Sequence, residues 1–447
     1  MSEGWITHLY FSLVGKSGMT KREEAMLNIK KINLPSKLRI ITVPMKSTEA
    51  VTVMIMIKAG SRYETQHIRG ISHFLEHMFF KGGERYQTPR EVAQAIDSIG
   101  GIFNAFTGNQ FVAYFVKVAK EYTETAFDVL SDMLLNARFD KDGLKRERGV
   151  VLEEYKMIYD EPKRLVDDEF EQMIIGNHPL GWSTIGLPKV IKSLQRRDFV
   201  KYKNQLYTAP NIVVSVAGNI EPAEVKKFTA KYLPYGKSAK KSKPIPYHRG
   251  KIQKKVKIIH KDTKQAHLIL GVPTFGAFSP HKYTAKILAA VLGGGMSSRL
   301  FTSIRERHGL AYYVYGSSVN YTDAGYLMAK AGVDKTRIDL AIRTILDEFK
   351  LFTTEKVSAE ELKKAKEFVI GHLVLDMEDS SEVAYEYGSQ ELLYDRTDTL
   401  ADKKRKIKAV TSEQIQALAK RIFKDNTWHL VVIGPYKDPK RFADLLK

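Results

Sequence analysis

The sequence predicts an α+β protein of two homologous, duplicated domains, each a mainly antiparallel sheet with helices packed on one face. Three observations lead to this prediction. Strand-like and helix-like segments follow the same order in both halves, at an offset near 217 residues. The 447 residues are enough for two or three domains with full cores. Hydrophobic residues make up 43% and charged residues 27% of the chain, as in soluble globular proteins.

The first half begins with strands and then alternates between helices and strands. Thr88 and Pro89 predict the start of a helix, as N-cap and first residue. Gly108 and Asn109 predict a turn between two strands. In order, we expect strands at 38–44 and 51–60, a helix within 70–80, a helix from Thr88, a strand pair at 102–118, helices at 121–136, 140–159 and between 163 and 206, and a buried strand at 211–220.

The second half repeats this order. Its strands are expected at 256–260, 266–276, 311–321 and 325–333, and its helices at 281–295, 336–350 and 358–378. A final helix and strand end at Gly434, as the first half ends at Gly218. We therefore predict an N-terminal extension at 1–27, a first domain at 28–235, a basic linker at 236–252 and a second domain at 253–447.

The chain is basic and has no cysteine. Its formal net charge is +20, and residues 236–264 hold eleven Lys or Arg against one acid, Asp262. That run is either a solvated connector or a patch for an acidic partner. Without cysteine, disulfides, thiolate zinc sites and cysteine nucleophiles are excluded. Any metal must be held by His, Asp or Glu, which suits a catalytic zinc better than a structural one.

The N-terminal segment does not resemble a targeting sequence. Its apolar run from Ile6 to Val14 is preceded by Glu3 and by no Lys or Arg, and Met19 is an alternative start. No apolar run reaches the roughly 20 residues of a membrane helix. We therefore expect a flexible extension, a cytoplasmic location and no membrane partner.

The segment around His73 carries the clearest chemical signal. His73 and His77 are four residues apart, so on a helix they lie one turn apart on one face, with Glu76 beside them. The neighbouring residues are apolar, which predicts a buried helix, and polar groups in such a place need compensation. The alternative is a pair of core histidines. H-x-x-E-H is, however, the inverted zinc-peptidase signature.

A third ligand is expected from the helix predicted at 140–159. Glu147 and Glu154 are seven residues apart and share a face, whereas Glu153 points elsewhere. Acidic pairs of this kind are otherwise a solvated helix face. The second half has glycines, Gly293 to Gly295, opposite the histidine segment and no carboxylate opposite Glu154. Only the first half can therefore hold a metal.

These motifs resemble the pitrilysin-type zinc metallopeptidases, the inverzincins. His73-x-x-Glu76-His77 is followed 77 residues later by Glu154 within ERxVVxEE, and the resemblance extends from about residue 30 to the C-terminus. It implies that His73, His77 and Glu154 ligate one Zn²⁺ per chain. It also implies that Glu76 is the general base and that Glu147 is the supporting acid.

Two further segments match the same family. Residues 293–318 resemble the segment whose Arg and Tyr reach the substrate, here Arg305 and Tyr312; the alternative for Arg305 is an ion pair with Glu306. Residues 100–107 resemble the edge strand beside the zinc, where a peptide can bind by strand addition. The resemblance implies that substrate is bound by Asn104, Ala105 and Phe106. An ordinary strand is the alternative.

The resemblance is to the two-domain, processing-protease-like branch of the family. It implies a zinc endopeptidase that hydrolyses peptides or unfolded polypeptides in a dimeric chamber, with each site composed from two chains. A homodimer suffices because this chain has both halves of the site; a heterodimer with a paralogous subunit is the alternative. A non-catalytic scaffold of the same fold is the competing function. We expect no nucleic-acid partner, because the basic run lacks interleaved aromatic residues.

Overall fold

The computed structural model describes residues 28–236, 241–250, 255–425 and 427–446. The predicted extension at 1–27 and parts of the predicted linker at 236–252 lie outside these residues. The strands are β1 Lys30–Asn33, β2 Arg39–Pro44, β3 Ala50–Ile57, β4 Ile102–Thr107, β5 Val112–Ala119, β6 Ile212–Gly218, β7 Val256–His260, β8 Gln265–Pro273, β9 Ala311–Asn320, β10 Gly325–Asp334 and β11 His429–Gly434. The α-helices are α1 Ile71–Phe79, α2 Pro89–Asp97, α3 Thr123–Leu135, α4 Lys141–Asp160, α5 Pro162–Ile175, α6 Pro188–Ser193, α7 Arg196–Leu206, α8 Pro222–Tyr232, α9 Lys282–Gly293, α10 Ile338–Thr354, α11 Ala359–Asp376, α12 Ser380–Tyr394, α13 Leu400–Lys408, α14 Ser412–Ile422 and α15 Pro439–Leu445. A π-helix spans Phe301–Arg307.

Several local predictions are confirmed in these elements. The Thr88 hydroxyl accepts a hydrogen bond from the Glu91 N–H at 3.2 Å, and Pro89 is the first residue of α2. The Gly108 N–H donates to the Phe111 carbonyl and closes the turn between β4 and β5. In the described part of the chain, no helix is both long enough and apolar enough to span a bilayer.

The first compact unit is built on a six-stranded sheet. It contains the described residues up to Val151, together with Thr184–Lys243 and Asp376–Ala401. The strand order is β1-β2-β6-β3-β5-β4. β2 and β6 are parallel, and the other neighbouring strands are antiparallel.

The second compact unit repeats this sheet. It contains Leu152–Ser183, Pro244–Leu375 and the chain from Asp402 onward. Its strand order is β7-β11-β8-β10-β9, with β7 and β11 parallel. Without β1, the first sheet has the same connectivity, since β2, β3, β4, β5 and β6 correspond in order to β7, β8, β9, β10 and β11. The prediction of two duplicated, mainly antiparallel α+β domains is therefore confirmed.

Helices cover both faces of the first sheet, which corrects our prediction of helices on one face alone. On one face, Tyr387 of α12 is buried in a core with Met56 and Phe115. Neighbouring residues of a strand point to opposite faces, and Tyr114 accordingly contacts Phe79 of α1, with 5.4 Å between ring centroids. In the sequence, α12 lies within the second half of the repeat, before the helix and strand that end it. The first unit thus gains a helix that our predicted range of 28–235 does not contain.

The second unit likewise contains a helix from the first half of the sequence, α5. Phe170 of α5 packs edge-on against Tyr326 of β10 at 5.6 Å. This interface also contains charges: the Lys330 ammonium, in a residue only 1% exposed, lies 2.5 Å from the Asp167 carboxylate. The Tyr321 hydroxyl donates to Glu171. Burial, reinforced by the nearby negative charges of two aspartates, raises the pKa of Glu171 to about 8.

Candidate metal centre

The helix that carries the histidines, α1, begins at a glycine that no other residue can easily replace. Gly70 has φ 91°, in the left-handed region. A Cβ at this position would lie 2.6 Å from the Ile185 carbonyl oxygen and 2.7 Å from Gly186 Cα. The start of α1 is therefore packed directly against another backbone segment.

A buried carboxylate caps the first turn of α1. The two oxygens of Glu64 accept hydrogen bonds from the N–H groups of Gly70 at 2.7 Å and Ser72 at 2.9 Å. A carboxylate at a helix N-terminus satisfies free N–H groups and complements the helix dipole. Burial raises the pKa of Glu64 to about 7, although these hydrogen bonds favour the ionised form.

Ser72 connects the same turn to α7 and to the loop before α1. Its hydroxyl hydrogen-bonds the Tyr202 hydroxyl at 2.6 Å and accepts the Gly60 N–H at 3.1 Å. An apolar contact adds to these hydrogen bonds: Phe74 of α1 packs edge-on against Phe199 of α7, with 4.8 Å between ring centroids. The orientation of α1 is thus specified by buried contacts on both sides of the histidines.

His73, His77 and Glu154 converge at one point. Their ligand atoms all lie within 4.8 Å of one another, and they are the one group of this kind among the described residues. His73 and Glu154 are each 8% exposed, and the two imidazole centroids are 4.7 Å apart. Two imidazole nitrogens and one carboxylate oxygen are a donor set that catalytic zinc uses in proteins. The residues therefore fit a zinc ion.

The third donor is positioned by the continuity of α4. About one turn and a half before Glu154, the Arg148 guanidinium of this helix donates to the carbonyls of Ile191 at 3.1 Å and Leu194 at 2.6 Å. Glu154 lies further along the same unbroken helix.

Glu147 lies behind one of the histidines. One of its oxygens is 3.4 Å from His77 Nδ1, and the other is 2.7 Å from the Lys81 ammonium. Burial opposes ionisation of this carboxyl, but the hydrogen bonds from His77 and Lys81 outweigh it, and the pKa of Glu147 is lowered. A carboxylate that accepts from the second ring nitrogen fixes the tautomer and orientation of a metal-ligating histidine.

Glu76 points toward β4. The Thr107 hydroxyl donates to Glu76 Oε2 at 2.5 Å. Behind it lie Tyr114 and Tyr207, whose hydroxyls hydrogen-bond each other at 2.9 Å. Burial, and then the proximity of Tyr207 and Glu76, raises the pKa of Tyr114 well above its ordinary value. At neutral pH both phenols are therefore neutral.

The predicted substrate-binding residues lie on two faces of β4. Ala105 is opposite Tyr114 in the sheet and shares the face that carries α1. Phe106 points to the other face and packs with Phe111 and Tyr385, each at 5.7 Å. The Asn104 side chain accepts the Ala105 N–H at 2.8 Å. The structure thus brings Ala105, but not the Phe106 ring, to the face that carries Glu76.

Arg305 and Tyr312 belong to the second unit and are exposed there. Arg305 lies in the π-helix, with its guanidinium over the Phe301 ring at 5.1 Å. The alternative predicted for it, an ion pair with Glu306, is not formed within the described residues. Tyr312 is 61% exposed and lies on β9, the last strand of its sheet.

Three residues that contribute to this site were not predicted from the sequence: Glu64, Ser72 and Thr107. Thr107 directly follows the three predicted edge-strand residues, and strand alternation alone would have placed it on the same face as Ala105. Glu64 lies six residues before Gly70, in a loop without periodicity, and no spacing rule relates a loop carboxylate to the helix that it caps.

Comparisons with known proteins agree with the family suggested by the motifs. Residues 39–187 match the family described as Insulinase (Peptidase family M16), and residues 193–369 match the Peptidase M16 inactive domain. The uncharacterized zinc protease YmxG of Bacillus subtilis is 36% identical over 91% of this chain and 98% of its own length. An uncharacterized zinc protease of Mycobacterium leprae is 31% identical over 97% of this chain and 98% of its own length.

Solved structures show the same fold at lower sequence identity. A protease from Helicobacter pylori superposes with a TM-score of 0.83 at 22% identity, over 92% of this chain and 100% of its own. A chain of complex III2 from Candida albicans reaches a TM-score of 0.80 at 17% identity, over 94% of this chain and 100% of its own. The resemblance to pitrilysin-type peptidases is thereby confirmed, and the chain belongs to peptidase family M16.

Proposed function

We propose that this protein is a zinc-dependent endopeptidase of peptides or unfolded polypeptides. The observation that carries the proposal is the convergence of His73, His77 and Glu154, with Glu76 on the same helix. The names of its relatives support zinc and proteolysis in general terms. The reaction, the substrate class and the residue roles are our inference from the site.

The chemistry follows from the donor set and from Glu76. A zinc ion held by two histidines and one glutamate supplies Lewis-acid polarisation of a carbonyl and a water of lowered pKa. Glu76 takes the proton of the attacking water and later delivers it to the leaving amine nitrogen. Glu147 holds the His77 ring through Nδ1, which leaves Nε2 for the metal.

The substrate backbone is proposed to bind along β4. This strand is the last in its sheet and is paired on one side by β5, so its other side can pair with an extended peptide. The main-chain groups of Ala105 would form these hydrogen bonds, with little dependence on substrate sequence, once its N–H exchanges the Asn104 side-chain oxygen for a substrate carbonyl. The face that carries Glu76 then meets the scissile bond.

The proposal is tested by cleavage of a mixed peptide library by zinc-loaded wild type and Glu76→Gln. We expect cleavage by the wild type, loss of at least about 100-fold in the variant, and equal zinc content in both. Glu153→Gln, the same change on an exposed residue, is the control and should retain full activity. Cleavage that survives complete chelation, or that Glu76→Gln retains, would overturn the proposal. Absence of cleavage by the zinc-loaded wild type would favour the scaffold alternative.

We further propose a homodimer in which Arg305 and Tyr312 of one copy would donate hydrogen bonds to the scissile carbonyl oxygen of a peptide bound at the His73, His77 and Glu154 site of the other. Mixing Glu76→Gln with Arg305→Ala chains tests this. After random exchange, half of the dimers are mixed and one of their two sites is intact, so about a quarter of wild-type activity should return. A mixture as inactive as its components would exclude a site built from two chains.

A further inference from the structure

The Thr107 hydroxyl donates a hydrogen bond to Oε2 of the Glu76 carboxylate. Hydrogen bonds to charged groups are about twice as strong as those between neutral groups. Thr107 is the last residue of β4, and Glu76 lies in α1, 31 positions earlier in the chain.

Strand geometry places the Thr107 hydroxyl on the correct face. In the register of β4 and β5, Ala105 is opposite Tyr114 and Thr107 is opposite Val112. Phe103, on the same face, lies 5.8 Å from Phe80 at the end of α1. Alternate residues of β4 therefore face α1, and Thr107 is the one of them that ends in a hydrogen-bond donor.

The backbone around Thr107 is tied to the loop that precedes α1. The Arg62 N–H donates to the Asn109 carbonyl at 2.9 Å, and the Asn109 amide donates to the Ser61 hydroxyl at 3.1 Å. A Cβ on Gly60 would lie 2.2 Å from the Gly108 carbonyl oxygen, so the two backbones touch there. The Gly60 N–H also donates to the Ser72 hydroxyl of α1. A continuous set of backbone contacts and hydrogen bonds therefore links Thr107 to the helix that carries Glu76.

We propose that Thr107 is a positioning residue that holds the Glu76 carboxylate in its reactive orientation. A glutamate has three side-chain torsions, and a general base must lie within hydrogen-bond reach of the proton it takes. A donor at Oε2 restricts rotation of the carboxylate and so fixes the direction in which its oxygens point. This inference rests on the proposed function, in which Glu76 is the base.

The test replaces only the hydroxyl. Thr107→Val keeps the side-chain volume and removes the donor, Thr107→Ser restores it, and Thr42→Val makes the same change at a buried position on β2. For zinc-loaded Thr107→Val we expect kcat to fall about 10-fold with KM changed less than twofold, as for loss of a hydrogen bond to a charge. Thr107→Ser and Thr42→Val should keep at least half of wild-type kcat, and zinc content should be equal throughout.

A double-mutant cycle separates positioning from general packing. Glu76→Asp retains a carboxylate but shortens it by one methylene, so it should no longer reach Thr107. Adding Thr107→Val to this background should then cost less than twofold in kcat. A crystal structure of zinc-loaded Thr107→Val should show the Glu76 carboxylate displaced or in several rotamers, with the three ligands unmoved.

The outcomes that overturn the inference are distinct from those that overturn the function. Thr107 would have only a structural role if Thr107→Val lowered kcat by the same factor in both backgrounds or lowered the zinc content. A change confined to KM, or an unmoved Glu76 carboxylate in the crystal, would lead to the same conclusion. Activity retained by Glu76→Gln would instead refute the proposed base, whatever Thr107 does.

Discussion

Replacing Glu147 by glutamine should weaken zinc binding without unfolding the protein. The glutamine is isosteric, but it is neutral and carries one acceptor where the carboxylate carries two. In the wild type, the two carboxylate oxygens face two donors, His77 Nδ1 at 3.4 Å and the Lys81 ammonium at 2.7 Å. In the variant, one of these donors must face an NH₂ group.

The magnitude follows from the position of Glu147 behind a ligand. Substitutions of residues that orient a metal-ligating histidine typically cost about 10- to 100-fold in metal affinity or activity. We expect the lower end, because glutamine can still accept from His77. The measurement is competition for zinc with a chromophoric chelator, together with cleavage rates at fixed free zinc. Activity should fall about 10-fold at limiting zinc and recover at saturating zinc.

The control is again Glu153→Gln, on the same helix but with a side chain 71% exposed and paired with Lys156. It makes the same charge change one residue from Glu154 without touching His77, and its zinc affinity should equal that of the wild type. Equal affinity of Glu147→Gln and wild type would refute the orienting role. Equal weakening in both variants would mean that only net charge near the metal matters.

Four further predictions concern the helices of the site, its metal and a buried carboxyl group of the second unit. Gly70→Ala should abolish zinc binding and destabilise the protein by more than about 2 kcal/mol, because its Cβ would lie 2.6 Å from the Ile185 carbonyl. Gly149→Ala, with no atom within 4 Å, should instead stabilise α4 by about 0.5–1 kcal/mol. Zinc at 100 times its Kd should raise the free energy of unfolding by about 2.7 kcal/mol, lost on chelation. Between pH 6 and 8, the wild type should lose about 2–3 kcal/mol of stability relative to Glu171→Gln.

The sign of the last effect follows from the pKa of Glu171. It is about 8 in the folded protein against an ordinary 4.5, so between these values the folded state keeps a proton that the unfolded state has released. Stability from this group is complete below pH 4.5 and is lost as the pH rises toward 8. Thermal or denaturant unfolding of both proteins at several pH values measures it. A difference in unfolding free energy between wild type and Glu171→Gln that does not change with pH would contradict the raised pKa. A Gly70→Ala variant that binds zinc and has normal stability would contradict the close packing at Gly70.

Features encoded by short sequence windows could be predicted. The H-x-x-E-H helix, the Thr88 cap and the turn at Gly108 each depend on residues within one turn or one hairpin. The duplicated topology was predictable because the order of segments repeats. The face shared by Glu147 and Glu154 followed from helical periodicity alone.

Features that depend on which elements meet could not be predicted. We expected helices between 163 and 206, where α5 lies, but periodicity does not say which sheet a helix covers, and we predicted no helix at α12. The assignment of α5 to the second unit and of α12 to the first was therefore missed. Phe106 was expected to bind substrate together with Ala105, because alternation alone does not identify the face that carries α1. Glu64 caps α1 from a loop, where no spacing rule applies. Alternation places Thr107 on the same face as Ala105 but does not say which helix covers that face.

The proposed function requires that His73, His77 and Glu154 hold one zinc ion per chain. Anomalous diffraction from a crystal of the purified, zinc-loaded protein, measured on both sides of the zinc absorption edge, tests it most directly. We predict one strong anomalous peak per chain, between the two imidazoles and the Glu154 carboxylate, that disappears below the edge. The absence of a peak at this position, or a zinc ion bound by other residues, would contradict the assignment of these three ligands.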